Sequence, residues 1–246
     1  MVAVLVFEFS GMRCQPLRRA LCALLENIYR EYEVRVYYFT GAEYGLQNIE
    51  YSRLKVSDFN NVNDPFELLG IELSDKNVRS ALKREKSEIS KSTGFICFSE
   101  DWQNPVQWGH YAENHKGICL GFDVSDEHLK KIKYVKKRLN TLNFYSNDKR
   151  EKLLTTKFSH WSYEKEHRII VDLSSRTPDE RGLFFEPFSQ HLKLREVIIG
   201  CESSVTQSAV RDLCESQDKK IKIFNARAAF RDFKIVWDRS KKSTRA

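Results

Sequence analysis

Apolar residues along this chain fall into short runs of two kinds. In "PLRRALCALLENIYREYEV" (16–34), Leu17, Ala20, Leu21, Leu24, Leu25 and Ile28 recur at three- and four-residue spacing, which predicts an amphipathic helix. Most other runs are short and rich in Val, Ile, Phe and Tyr. They predict strands at 2–8, 34–40, 53–59, 94–100, 118–124, 132–135, 194–200, 220–226 and 233–238. Between them, helices are predicted at 42–49, 75–90, 104–117, 148–158 and 203–216. Asn104 and Pro105 suit the start of the 104–117 helix, and Gly117 suits its end. In "NVNDPFELL" (61–69), Asn63 or Asp64 caps a turn of helix opened by Pro65. Many short strands with few helices predict an α+β fold, a curved or split mixed β-sheet flanked by helices.

One run breaks the apolar rule. "WSYEKEHRII" (161–170) leads into Val171 and reads as a strand, yet it opens with Glu164, Glu166 and Arg168 at alternating positions. A period of two puts these three on one face and Lys165, His167 and Ile169 on the other. Such a face is either a half-solvated Glu–Arg pair or the wall of a cleft. The 104–117 helix adds a second candidate wall. There Trp108, Tyr111 and His115 share one side, with His110 and Asn114 beside it. The plainer alternative makes Trp108 and Tyr111 core residues and the histidines surface groups. In "NDPFE" (63–67) Asp64 and Glu67 serve a local turn or a functional role, and in "VYYFTG" (36–41) two tyrosines serve packing or a flat ligand ring.

Composition narrows the chemistry. With 246 residues, 41% hydrophobic and 30% charged, the chain suits a soluble globular protein. Its net charge of +7 is concentrated in "HLKKIKYVKKR" (128–138) and "RSKKSTRA" (239–246), which fits a nucleotide or nucleic-acid partner and equally a solvated face. Six scattered cysteines form no CxxC pair, so neither zinc nor a disulfide framework is expected. No GxGxxG, P-loop, HExxH or serine-hydrolase elbow occurs. The apolar start is interrupted by Glu8 and lacks a basic leader, so no membrane span or signal peptide is expected and the cytoplasm is the expected location.

Several of these stretches, taken in order, resemble the DUF2971 family of bacterial proteins: "NDPFE", "WGHYAENHKG" as W-x-H-Y-x-x-x-H-x-G, "WSYEKEHR" as W-x-Y-E-x-E-x-R, and "LREVIIG". The resemblance covers about 34–200. It divides the chain into an N-terminal extension (1–33), a single α+β domain (34–240) and a basic tail (241–246). More remotely, the layout is similar to the ADP-ribosyltransferase fold, in which an early strand contacts NAD and a late strand presents the catalytic glutamate within E-x-E. That likeness implies an NAD-using transferase or NAD glycohydrolase, acting as a toxin or phage-defence effector, with NAD as co-substrate and no metal. It would make Glu166 the carboxylate that stabilises the oxocarbenium-like transition state and Glu164 the group that orients or deprotonates the acceptor. Tyr38, Trp108 or Tyr111 would stack on nicotinamide, and Lys157 or Arg168 would hold the pyrophosphate. The serine-rich strand of that fold has only partial counterparts here, "CFSE" (97–100) and "KSTG" (91–94), and its first strand carries "YYFT".

Two other readings stay open at this stage. A metal-independent RNase or other nucleic-acid-directed toxin would use His110 or His115 as general acid and base. A non-enzymatic nucleotide- or nucleic-acid-binding module would rely on the basic 128–138 segment. Expected partners are NAD or a related nucleotide, a nucleic-acid acceptor and an antitoxin, with no membrane.

Overall fold

A computed structural model describes residues 33–59, 62–214 and 221–245. The predicted strand at 2–8 and almost all of the predicted helix at 16–34 lie outside the described residues. In chain order the elements are β1 (Glu33–Thr40), α1 (Ala42–Glu50), β2 (Arg53–Lys55), β3 (Ser57–Asp58), α2 (Lys76–Ser92), β4 (Thr93–Ser99), α3 (Pro105–Tyr111) and β5 (Ile118–Ser125). Then come β6 (Leu129–Lys131), β7 (Lys133–Val135), α4 (Lys149–Thr155), β8 (Thr156–Phe158) and β9 (Glu166–Asp172). The last are β10 (Phe185–Pro187), β11 (Leu192–Ile199), α5 (Gln207–Cys214), β12 (Lys222–Ala228), β13 (Ile235–Trp237) and β14 (Thr244–Arg245). Three 3-10 turns, at Asp126–His128, Thr141–Tyr145 and Ser159–Glu164, join some of them.

Ten strands form one mixed sheet in the order β13-β12-β11-β5-β1-β4-β9-β6, with β14 beside β12 and β3 beside β4. Only β11 and β12 are parallel among its pairs. Most predicted strands and helices within the described residues appear, and those predicted at 104–117, 148–158, 203–216 and 233–238 are markedly shorter. The helix at 75–90 begins where Asp75 accepts from the amides of Asn77 and Val78, and α3 begins where Asn104 accepts from Val106. At 61–69 no helix forms. Asp64 instead accepts from the Phe66 amide in a local turn.

Strand alternation sorts the core. Val36, Ile96, Phe98, Leu120, Phe122, Val171 and Val197 share one face of the sheet and pack with Ile49 of α1 and Val210 of α5. The opposite face carries two separate apolar clusters. One joins Phe95 to Val78, Leu82 and Ile89 of α2 and to Leu153 and Leu154 of α4. The other joins Cys119, Ile198 and Phe224 to Trp108 of α3. Between these two clusters the same face turns polar, and the candidate site lies there.

The 104–117 helix departs from its prediction. It stops at Tyr111, and Glu113, Asn114 and His115 take positive φ angles of 47°, 52° and 69°. The amide of His115 returns to the Trp108 carbonyl and that of Gly117 to Ala112, which turns the chain back so that Ile118 can pair with Thr40. Gly117 is needed there, since a Cβ would come within 2.2 Å of the Thr40 carbonyl oxygen. Consequently Trp108, Tyr111 and His115 do not share a helical face. Trp108 and His115 stack at 6.4 Å, while Tyr111 is directed to Glu164.

Candidate active site

The site is built on three neighbouring strands. Tyr37 of β1 pairs with Ser99 of β4, and Ser99 pairs with Glu166 at the start of β9. Residues in direct register share a face, so Tyr37, Ser99 and Glu166 form one cross-strand row. Cys97 and Arg168, also in register, form the adjacent row on the same face. His167, one residue from Glu166, faces the other way, with Nε2 2.8 Å from Glu100.

Glu166 is almost fully buried, and both of its carboxylate oxygens are engaged. Its Oε1 accepts from Arg168 Nε at 2.6 Å and from the Cys97 thiol at 2.8 Å, and its Oε2 accepts from Lys157 Nζ at 2.9 Å. Its backbone amide donates to Tyr134 Oη at 2.8 Å. Burial by itself would raise the pKa of Glu166, but Arg168 and then Lys157 outweigh it and hold the group well below the usual carboxylate range. Cys97 is pushed up by burial and by Glu166, and stays a thiol donor.

Glu164 is not a strand residue, contrary to the alternation of the sequence. It ends the 3-10 turn Ser159–Glu164, and Lys165 then takes a left-handed conformation (φ 45°) before β9 begins. That reversal still delivers Glu164 to the site. Its Oε1 accepts from Tyr111 Oη at 2.5 Å and its Oε2 from Lys157 Nζ at 2.6 Å. Burial dominates here and raises Glu164 above the usual range, against the pull of Lys157 and Tyr111. Burial would lower Lys157, yet the two carboxylates it bridges keep it charged. The site therefore holds two carboxylates on one ammonium with displacements in opposite directions, the arrangement by which two acidic groups are set to different tasks.

Arg168 is also fully buried, and its fork is committed. Nη1 and Nη2 bind the two oxygens of Glu67 at 2.7 and 3.0 Å, Nη1 also reaches the Leu154 carbonyl at 2.9 Å, and Nε holds Glu166. Glu67, from "NDPFE", thus orients the guanidinium that orients Glu166. The cavity over these groups measures about 250 Å³. Its wall includes Tyr37, Trp161, Tyr111, Gln107, Asn63 and Asp64. Four carboxylates (Asp64, Glu67, Glu164, Glu166) meet two cations (Lys157, Arg168) around it. Among the described residues, a group of potential metal ligands sits elsewhere, at Glu127, His128 and His191, toward solvent.

Six of the eight expected site residues line this cavity: Tyr38, Tyr111, Lys157, Glu164, Glu166 and Arg168. At four of the eight the geometry differs from the expectation. Trp108 is wholly buried beneath α3, with its Nε1 on the Trp102 carbonyl and Phe39 against its ring edge, so no ligand ring reaches it. Tyr38 borders the cavity, but period two turns its ring to the opposite face, against Phe98 in the main core; its neighbour Tyr37 shares the face of Glu166. His110 is exposed and outside the cavity wall, with Nδ1 3.1 Å from Tyr163 Oη. A pyrophosphate role for Arg168 also gives way, because four of its five N–H groups are already engaged by Glu67, Glu166 and Leu154. Sequence reasoning weighed Tyr37 with Tyr38 as a ring contact but did not single out Cys97, Gln107 or Tyr134 for the site. Strand register is the signal that would have placed Tyr37 and Cys97.

Residues 107–169 match a family model described as protein of unknown function (DUF2971). The match supports kinship with that family over the stretch that carries Gln107, Tyr111, Lys157, Glu164, Glu166 and Arg168. Neither a curated protein nor a solved structure matches the chain.

Proposed function

We propose that this protein transfers, or hydrolytically releases, the ADP-ribosyl group of NAD⁺ at the cavity over Glu166. The observation that carries the reading is the row Tyr37, Ser99, Glu166 on three adjacent strands, with Glu164 beside it on the shared Lys157. An early strand bearing an aromatic group and a late strand bearing the glutamate are what the resemblance to ADP-ribosyltransferases implies, and Ser99 stands in for the serine-rich strand between them.

Charge supports the same substrate. An excess of carboxylates around the cavity favours the positively charged nicotinamide ring and the oxocarbenium character that develops at C1′ of the ribose. The bond from C1′ to the nicotinamide nitrogen breaks, and its electron pair leaves with nicotinamide. Glu166, kept ionised by Arg168 and Lys157, stabilises the positive sugar carbon. The acceptor oxygen then bonds to C1′, and its proton passes to Glu164, whose raised pKa suits it to accept one. With water as acceptor the same steps amount to hydrolysis. Phosphate-directed cleavage by His110 fits less well, since that imidazole is outside the cavity and the cavity itself is acidic.

The test is nicotinamide release from NAD⁺ by the wild-type chain and by Glu166→Gln, with water, RNA, DNA and protein lysate as acceptors. Release by the wild type that falls at least about a hundredfold in the variant is expected, the scale on which a single charge-stabilising group acts. No release under any of these conditions, or equal release by the variant, refutes the proposal.

A further inference from the structure

The cavity is acidic, but a segment tied to its walls is basic. Lys133, Lys136, Lys137 and Arg138 are all exposed. Among the described residues, none of these four has a carboxylate within ion-pair distance, whereas the nearby Lys130 and Lys131 are neutralised by Glu151 and Glu100. The segment is tied to the site at both ends. Tyr134 pairs with Lys157 across β7 and β8 and receives the Glu166 amide on its hydroxyl. At the other end Leu139 bridges Ile71, and the Arg138 guanidinium lies 5.6 Å from the Phe66 ring, in the loop whose Asn63, Asp64 and Glu67 line the cavity.

Aromatic groups accompany these cations. Phe66 is 55% exposed, and Phe158 is 40% exposed with its ring stacked on His160 at 4.4 Å. Phe158 immediately follows Lys157, and Trp161, three residues on, belongs to the cavity wall. Exposed rings alternating with unneutralised cations are the surface on which unpaired bases stack while the backbone phosphates follow the charge. The backbone of such a strand stays on the basic rim, and a base or ribose hydroxyl is the part that reaches the cavity.

We infer that this rim, residues 133–138 with Phe66 and Phe158, binds single-stranded nucleic acid and presents it to the cavity as the acceptor. The acceptor role rests on the transferase reading above; the binding does not. A duplex, whose bases are stacked away, cannot use the rings, so the rim discriminates against it.

Fluorescence anisotropy of a labelled single-stranded oligonucleotide of mixed sequence, measured with the full chain and without NAD⁺, tests the binding by itself. Four phosphate contacts on a single strand predict a salt dependence with a slope near −2.8 in log K against log salt. The surface variant K133A/K136A/K137A, checked for unchanged thermal unfolding, should lose about 2 from that slope. Phe66→Ala and Phe158→Ala should each weaken binding by about 5- to 150-fold. The duplex should bind more weakly than either strand, and saturating NAD⁺ should leave the oligonucleotide bound, because acceptor and co-substrate must be present together. Salt-independent or absent binding overturns the inference, as does equal binding by the lysine variant, preference for anionic vesicles over the oligonucleotide, or full displacement by NAD⁺. Because NAD⁺ turnover is not read in this assay, failure of the transferase reading and failure of the rim are separate results.

Discussion

Glu67→Gln is the sharpest perturbation of the site that leaves the cavity's shape alone. Glu67 and Arg168 are both buried, and the carboxylate receives two charge-assisted hydrogen bonds at 2.7 and 3.0 Å. Bonds of that type contribute roughly 1.5–3 kcal/mol each. Glutamine keeps one neutral acceptor, worth about 0.5–1.5 kcal/mol, and turns an N–H toward Nη2 where the second bond was. Arg168 retains Glu166, so the guanidinium is not orphaned and the loss stays short of a fully broken buried pair. The net cost is about 2–4 kcal/mol, or a fall in Tm of roughly 4–16 °C for a domain of this size. Urea unfolding followed by circular dichroism reads it as a lower midpoint at unchanged m value. Glu88→Gln, which breaks the exposed pair with Lys91, serves as the control and should cost under about 0.5 kcal/mol. Nicotinamide release should fall chiefly in kcat, since Glu67 acts on the reacting sugar by positioning Glu166 through Arg168. A loss of stability no larger than that of the control would refute the claim that Glu67 anchors the site.

Glu166 and Glu164 should respond to pH with opposite signs. The folded pKa of Glu166 is depressed, so its contribution is present above the unfolded value of about 4.3 and is lost as pH falls toward about 2; the deficit of Glu166→Gln in chemical denaturation should shrink across that window. Glu164 is raised, so wild-type stability falls as pH climbs from the unfolded value through the folded one, and Glu164→Gln should gain on the wild type over the same climb. Tyr111→Phe removes a hydrogen bond that lowers Glu164, and should move the acid limb of the pH–rate profile for nicotinamide release upward by about one unit; an unchanged limb would remove Glu164 from the reaction. Gly117→Ala drives a Cβ against the Thr40 carbonyl and Ala112, and should lower stability by about 1–3 kcal/mol in thermal unfolding.

What the sequence by itself determined is local. Short runs rich in Val, Ile, Phe and Tyr identified β1, β4, β5 and β11, because a strand covered on both faces needs apolar residues throughout, and period two placed the charged start of β9. Asn104 and Pro105 marked a helix start because they satisfy or omit amides that lack intrahelical partners. Glu166 and Arg168 were legible as a pair because two residues apart on a strand share a face whatever surrounds it. Where local pattern misled, a tertiary demand had overridden it. Lys165 leaves the extended conformation so that Glu164 reaches Tyr111, and the helix of 104–117 stops early so that Ile118 meets Thr40.

Other features exist only once the chain is folded. Tyr37 rather than Tyr38 faces Glu166 because of the register of β1 on β4, and a shift of one residue would have exchanged them. Glu67 meets Arg168 across 101 residues of sequence, and Lys157 joins two carboxylates from different elements. None of these partners is favoured by anything near it in the chain. They are selected because a buried charge must find its counter-charge wherever the fold brings one within reach, and the order of strands in the sheet decides which groups those are.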